Sequence, residues 1–239
     1  MLLNDMLERK RAGRQDMNKD IIRRLIQVFS VLILQGAILF VAAGTLSWNW
    51  AWAVLLLGLL LLIINLILLP AELVEERGRK KENVKKWDKF LSSITSIPTI
   101  LMYVFSGLDH RLDWTGDVSI VINISGLVFI FLGSMLFTWS MVSNKFFSTL
   151  VRLQFDRQHT VATEGPYKFV RHPGYLGYMT FTLATPVALG AFSGLIFSVI
   201  ICILLIVRTV LEDATLKKEL PGYTDYTENV RYKLIPLLW

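Results

Sequence analysis

Long uncharged stretches of apolar residues alternate with polar, largely basic segments along this chain. A helix needs about 20 mostly apolar residues to cross roughly 30 Å of hydrocarbon. Three stretches meet that requirement clearly, at 25–46, 51–69 and 118–142. A fourth, 91–108, is interrupted by Pro98 but is also free of charge. The pattern therefore predicts four membrane-spanning helices before residue 143.

The last apolar block, 175–207, is too long for one crossing and is interrupted near residues 190–194. Glycines at both ends of that interruption indicate a turn. We expect a tight helical hairpin with halves near 175–189 and 195–210. The total is five or six crossings, depending on whether the hairpin passes through the whole bilayer. The predicted fold class is an all-α, polytopic integral membrane protein.

Basic residues are concentrated in particular polar segments. Segments 1–24 and 71–90 are rich in Lys and Arg, whereas 47–50 has none and 109–117 has only Arg111. Because Lys and Arg favour the cytoplasmic side of a membrane, we predict a cytoplasmic N-terminal segment and a cytoplasmic basic loop at 71–90. The same alternation places the polar regions that flank the hairpin in the cytoplasm.

Composition agrees with a membrane protein and removes several other classes. The chain is 54% hydrophobic and 18% charged, whereas soluble domains carry about 25% charged residues. Its net charge of +6 comes from segments between spans, which does not support nucleic-acid binding. One cysteine, Cys202, and three histidines give no basis for a disulfide framework or a metal centre. No Gly-x-Gly-x-x-Gly or P-loop motif is present.

Two other membrane interpretations receive little support. The first span could be a signal peptide, but its apolar run exceeds the 7–15 residues typical of one. A transporter is disfavoured because no ionisable residue interrupts the middle of a predicted span.

A polar segment before the hairpin contains the first candidate site. A Gly-Pro turn at 165–166 is followed by Arg171, His172 and Pro173. Proline suits the first turn of a helix, so Arg171 and His172 would lie at a helix N-terminus, where free N–H groups favour an anion. Two tyrosines follow on one helical face, available for stacking or for a cation: Tyr175 and Tyr178. The alternative is a membrane-surface loop whose Arg contacts lipid phosphates.

A second candidate site follows the hairpin. Arg208 and Glu212 are four residues apart and share a helix face, with Asp213 beside them. A solvated ion pair at the end of a membrane helix would explain the same spacing. The tail 220–236 is rich in aromatic residues and would either cap a cavity or lie along the membrane surface.

Taken together, these motifs resemble the isoprenylcysteine carboxyl methyltransferase family. The resemblance covers roughly the last 95 residues and is carried by the segment 164–177 (Glu-Gly-Pro-Tyr-Lys-Phe-Val-Arg-His-Pro-Gly-Tyr-Leu-Gly) and by an Arg and a Glu-Asp about 40 residues later. A closing Gly-Tyr-x-x-Tyr and Arg-Tyr-x-x-x-Pro also match. Glu75-Glu-Arg77 and Lys86-Trp-Asp88 are similar to bacterial and archaeal members. This superfamily of integral membrane enzymes also includes phospholipid and small-thiol methyltransferases.

The resemblance implies an S-adenosylmethionine (SAM) site and a catalytic region at 144–239. Matching position by position, it implies catalytic roles for Arg208 and Glu212. The cofactor-binding residues that it implies are Tyr167, Arg171, His172, Tyr175, Gly177 and Asp213. Members usually carry Glu-Glu where this chain has Glu212-Asp213, so the role of Asp213 is left open. No metal is implied.

The acceptor implied is a lipid or a lipid-linked molecule that enters from the bilayer. O-methylation of an isoprenylcysteine-like carboxylate is favoured, with a phospholipid amine and a small thiol as alternatives. A carboxylate or thiolate needs no strong base, whereas an amine would need Glu212 to remove its proton. The membrane would be a prokaryotic plasma membrane or the endoplasmic reticulum.

Two different functions remain as alternatives. Membrane sterol reductases share an Arg-His-Pro-x-Tyr-type motif and use NADPH, but their tails carry more Asp and Arg and a Cys that this chain lacks there. A non-catalytic lipid-binding scaffold would need neither Arg208 nor Glu212. A comparison of SAM binding with NADPH binding distinguishes the methyltransferase from the reductase. Substitution of Arg208 or Glu212 tests the scaffold, whose behaviour should not change.

Overall fold

The computed structural model describes residues 2–79 and 82–239, with side chains from residue 19 onward. Within these residues the secondary structure is helical, without a β-strand, so the predicted all-α class is confirmed. The α-helices are α1 (Leu2–Ala43), α2 (Asn49–Leu68), α3 (Ala71–Gly78), α4 (Lys86–Leu112), α5 (Ile120–Val142), α6 (Pro173–Leu189), α7 (Leu195–Glu219) and α8 (Tyr223–Asn229).

Five helical segments in the described part of the chain are long and apolar enough to cross a membrane. They are Lys19–Ala43, Asn49–Leu68, Lys86–Leu112, Ile120–Val142 and Phe192–Glu219. Helix α6 has 17 residues and rises about 25 Å, less than the roughly 30 Å hydrocarbon core. The basic side chains predicted to orient the protein lie partly outside the described residues, at Arg9, Lys10, Arg11, Arg14, Lys80 and Lys81.

Helix boundaries differ from the predicted ones mainly in the polar segments. Helix α4 is longer than predicted and continues through Pro98. A membrane helix tolerates an internal proline where neighbouring groups satisfy the backbone positions that the proline frees. The predicted loop at 71–90 contains α3, and the tail contains α8. Both helices are at most eight residues long, too short to show a clear apolar period.

Helices α5 and α6 pack with their backbones in contact at two glycines. A Cβ atom added to Gly177 would lie 2.5 Å from the carbonyl oxygen of Gly133, and one added to Gly133 would lie 2.8 Å from the carbonyl oxygen of Gly177. Small residues allow this close approach between membrane helices. The contact fixes the first half of α6 against α5.

The hairpin turn is held by a buried carboxylate at the end of α4. Helix α6 begins at Pro173, as predicted, and ends at Leu189, where it is capped by Gly190 with a φ of 67°. The Asp109 carboxylate accepts hydrogen bonds from the Ser193 amide at 2.9 Å and the Thr115 hydroxyl at 2.7 Å. The interruption predicted at 190–194 is therefore a fixed turn between α6 and α7.

Candidate active site

A cavity of about 340 Å³ lies where α6 and α7 meet the loop 143–164 and the C-terminal tail. We call it the tail-capped cavity. Its walls include residues from three parts of the chain that are distant in sequence: Tyr167, Arg171, His172, Tyr175, Arg208, Glu212, Tyr223 and Tyr226. Six of the eight predicted site residues are among them. The other two, Gly177 and Asp213, lie behind the walls.

Arg208 is held in place by Asp88 at the start of α4. Its Nε lies 2.7 Å from Asp88 Oδ1, and one terminal nitrogen donates to Asp88 Oδ2 at 3.1 Å. Asp88 is fully buried and also accepts the backbone amide of Val151 at 2.7 Å. This two-point pairing fixes the plane of the guanidinium. The sequence motif contained Asp88 but gave no sign that it pairs with Arg208, 120 residues away.

Glu212 pairs with a tyrosine of the preceding helix instead of with Arg208. The Tyr175 hydroxyl donates a hydrogen bond to a Glu212 carboxylate oxygen. The Arg208 guanidinium lies 5.3 Å from the centre of the Tyr175 ring, close enough for a cation–π contact. The four-residue spacing of Arg208 and Glu212 thus places a cation and an anion on the cavity wall, each with its own partner.

Arg171 joins the motif before α6 to both α7 and the tail. Its Nε lies 2.8 Å from Asp213 Oδ1, and a terminal nitrogen donates to Asp213 Oδ2 at 3.2 Å. The other terminal nitrogen donates to the carbonyl oxygens of Val230 and Arg231, both at 3.1 Å. Much of the hydrogen-bonding capacity of this guanidinium is therefore used inside the protein, where it anchors the tail.

His172 has a backbone that binds the tail and a side chain with an unused nitrogen. Its amide donates to the carbonyl oxygen of Lys233 at 2.9 Å. Its ring stacks on Tyr175 with 5.7 Å between centroids. Nε2 is buried without a hydrogen-bond partner, 3.6 Å from Asp213 Oδ1. A ligand in the cavity would give this nitrogen a partner.

The tail covers the cavity through two tyrosine hydroxyls. Tyr223 donates to Asp213 Oδ1 at 3.0 Å, and Tyr226 donates to the carbonyl oxygen of Tyr167 at 2.7 Å. Burial raises the pKa of both phenols, and the charge of Asp213 raises that of Tyr223 further. Both therefore remain protonated donors at neutral pH. Of the two arrangements open from the sequence, the tail takes the one that caps a cavity.

His159 completes the wall on the loop side. Burial, and then the charges of Arg152 and Arg157, lowers its pKa from 6.5 to about 4. The neutral ring accepts the backbone amide of Gln154 at Nδ1, at 3.3 Å. A lone histidine in a polar loop carries no motif, so this residue could not be predicted from the sequence.

Comparison with known proteins points to one family. Residues 126–218 match the model of the isoprenylcysteine carboxyl methyltransferase (ICMT) family. The chain is 34% identical over 123 residues to protein-S-isoprenylcysteine O-methyltransferase of Schizosaccharomyces pombe, covering 49% of this chain and 51% of that protein. It is 29% identical over 108 residues to protein-S-isoprenylcysteine O-methyltransferase B of Arabidopsis thaliana, covering 44% and 55%.

These matches have a defined extent. The chain spans about half the length of these two relatives. The matched residues 126–218 include α5, the loop, α6 and most of α7. The tail that caps the cavity, including Tyr223 and Tyr226, lies beyond them. The structure therefore adds tail residues to the site beyond those that the family model matches.

Proposed function

We propose that this chain, whose residues 126–218 belong to the isoprenylcysteine carboxyl methyltransferase family, is an integral membrane methyltransferase that uses SAM to methylate the carboxylate of a prenylated cysteine. One observation carries the proposal: the segments 167–175, 208–212 and 223–226 converge on a single cavity of about 340 Å³. The segment 144–239 would be the catalytic region.

The residues around the tail-capped cavity suit SAM. When bound, SAM supplies a methyl group already activated on a positively charged sulfur. The ring of Tyr167 would attract a cation or stack on an adenine ring, and the Glu212 carboxylate adds a negative charge. The unpartnered Nε2 of His172 gives a polar group of the ligand a buried contact.

In this proposal, two of the predicted cofactor-binding residues act indirectly, by positioning other residues. Asp213 would hold Arg171 and Tyr223 in position, and Arg171 would hold the tail over the cavity. Gly177 would act by allowing α6 to touch α5, which places His172 and Tyr175 at the cavity. These are positioning roles, since neither Asp213 nor Gly177 lines the cavity.

Arg208 and Glu212 would act where the donor and the acceptor meet. Arg208 attracts and orients an anionic acceptor, and Asp88 keeps the guanidinium from rotating away. A carboxylate acceptor is already deprotonated at neutral pH, so the chain needs only to align it and to exclude water. For a phospholipid amine, Glu212 would instead take the proton.

The basic segments define the orientation that we propose. With the N-terminal segment 1–24 and the segment 71–90 in the cytoplasm, the short link at 47–50 lies on the other side. The catalytic region then opens to the cytoplasm, where SAM is found. Cysteine accessibility to a membrane-impermeant reagent, with single cysteines at Ser47 and Glu228 in a Cys202→Ala background, would test this arrangement.

The central test is SAM binding to the purified full chain in detergent, measured by calorimetry. We expect micromolar binding by the wild type, its loss in His172→Ala, and unchanged binding in the exposed-site control Arg79→Ala. Glu212→Gln and Arg208→Lys should keep folded protein but lose most methyl transfer to a farnesylated cysteine. Binding of NADPH in place of SAM would assign the chain to the reductases, and binding of neither would favour a scaffold.

A further inference from the structure

A second cavity of about 320 Å³ lies among the membrane-spanning helices α1, α2 and α5, and we call it the helix cavity. Leu, Val and other apolar side chains form most of its wall. Among the described residues that line it, two are charged, Arg24 and Arg77, and neither a carboxylate nor a lysine is present. An apolar chamber whose charges are all positive suits a ligand that is apolar along its length and anionic at one end.

Arg77 is the unusual residue of this chamber. It lies on α3 and is 9% exposed. One of its terminal nitrogens, NH1, is buried without a hydrogen-bond partner. Its guanidinium carbon lies 5.4 Å from the centre of the Phe147 ring. Burying a cation without an opposing charge is costly, so such a group in a native fold indicates a missing partner.

The surrounding charges do not supply that partner. The neighbouring Glu76 is 3% exposed and accepts a hydrogen bond from Arg152 at 2.7 Å. Glu75 pairs with Arg79 at 2.5 Å. Burial, and then the charge of Arg24, lowers the pKa of Arg77 from 12.5 to about 9. Arg77 is thus still cationic at neutral pH and is opposed by a like charge.

Arg77 also stands at the junction of the two cavities. It and Phe137 line both the helix cavity and the tail-capped cavity. An anionic group held there would lie at the edge of the candidate active site, while an attached chain extended among α1, α2 and α5.

We infer that the helix cavity binds an anionic amphiphile, with Arg77 contacting the head group and the apolar chain lying between α1, α2 and α5. Arg24 adds positive charge to the same end. The inference concerns binding alone and does not require that methyl transfer occurs. A carboxylate-bearing methyl acceptor and an anionic bilayer lipid share this chemistry.

The test uses cis-parinaric acid, a fluorescent single-chain carboxylate, and its uncharged methyl ester, with the full chain in a non-ionic detergent and without SAM. A charge-assisted hydrogen bond in a buried site is worth about 1.5–3 kcal/mol, so the acid should bind about 10–150 times more tightly than the ester. Arg77→Gln should bring the two affinities to within about threefold, and Arg77→Lys should keep part of the preference.

Two matched controls separate this site from surface effects. Arg23→Gln removes the same charge one residue from Arg24, at a side chain that is 53% exposed and pairs with Asp20, and it should leave the preference unchanged. Ser134→Leu fills the helix cavity and should weaken both probes. Ser125→Leu, on the same helix but away from the cavity, should weaken neither.

Competition then identifies the source of the anion. Displacement by a farnesylated cysteine, with a higher KM for that acceptor in Arg77→Gln, supports the site and assigns it to the acceptor. Displacement only by phosphatidylglycerol vesicles supports the site and assigns it to a bilayer lipid. Equal binding of acid and ester by the wild type, or an unchanged preference in Arg77→Gln, would overturn the inference. SAM binding by the same samples reports separately on the proposed function.

Discussion

The two cavities of this protein differ in how their arginines are compensated. In the tail-capped cavity Arg208 is paired with Asp88 at 2.7 Å, and Arg171 is paired with Asp213 at 2.8 Å. In the helix cavity Arg24 and Arg77 are not matched by an acidic residue among the described lining residues. Arg208 and Arg171 therefore have carboxylate partners within the chain, whereas Arg77, which lines both cavities, has no carboxylate partner among the described residues that line the helix cavity.

This difference has an energetic meaning. A buried ion pair costs desolvation but becomes tolerable when geometry and extra hydrogen bonds are good, and removing one partner is then strongly destabilising. A buried cation without a partner is already destabilising, so its removal costs little. The two cavities should therefore respond in opposite ways to the loss of a charge.

The largest effect is expected from Asp88→Asn. The substitution leaves Arg208 without its carboxylate in a buried site, and we expect a loss of about 3–5 kcal/mol of stability and of nearly all methyl transfer. Thermal unfolding in detergent and a radiolabelled methyl-transfer assay measure the two effects. Asp156→Asn is the control, because Asp156 is 60% exposed and lies 4.0 Å from Arg152. If both variants lose the same small amount of stability, the tail-capped network is not preorganised as described.

A smaller effect is expected from protonation of His159, which lines the tail-capped cavity. Its pKa is lowered in the fold from 6.5 to about 4, so the unfolded chain binds more protons between those values. The free energy of unfolding is therefore unaffected by this group above pH 6.5, and it falls as the pH drops toward 4. Because the side chain is partly exposed, we expect the free energy of unfolding to fall by only about 1 kcal/mol.

The pH dependence of thermal unfolding, compared between wild type and His159→Gln, measures this effect. Glutamine keeps an acceptor for the Gln154 amide but does not titrate in this range. The wild type should lose more stability than the variant between pH 6.5 and 4. Parallel curves would mean that His159 is not held neutral by burial and by the charges of Arg152 and Arg157.

Much of the fold could be predicted from the sequence because a membrane imposes length and polarity on each helix. The hairpin turn at 190–194 and the start of α6 at Pro173 followed from the local chemistry of glycine and proline. Helices α3 and α8 could not be predicted, because their stability depends on packing and they are too short to show a period. Whether the chain crosses the membrane five or six times depends on α6, whose 17 residues are close to the minimum length of a membrane-spanning helix.

Six of the residues that line the candidate site could be predicted from the sequence, but the way they pair could not. Arg208 and Glu212 share a helix face, yet their partners, Asp88 and Tyr175, come from other helices. Such pairings depend on tertiary packing, which spacing along one helix does not specify. Tertiary packing also decides the position of Gly177. Its motif implied a cofactor-binding residue, but the structure has it where α5 and α6 touch.

The smallest expected effect gives the sharpest comparison of the two cavities. In lipid-free protein Arg77→Gln should change stability by less than about 1 kcal/mol, and in the direction of a gain, because it removes a buried cation that lacks a partner. Arg152→Gln is the matched control: its side chain is 8% exposed but is paired with Glu76 at 2.7 Å, so a loss of about 3 kcal/mol is expected. Thermal unfolding of both variants decides between the two expectations. Similar losses would mean that Arg77 is stabilised by the fold itself, and the contrast between a completed network and a site that awaits an anion would then fail.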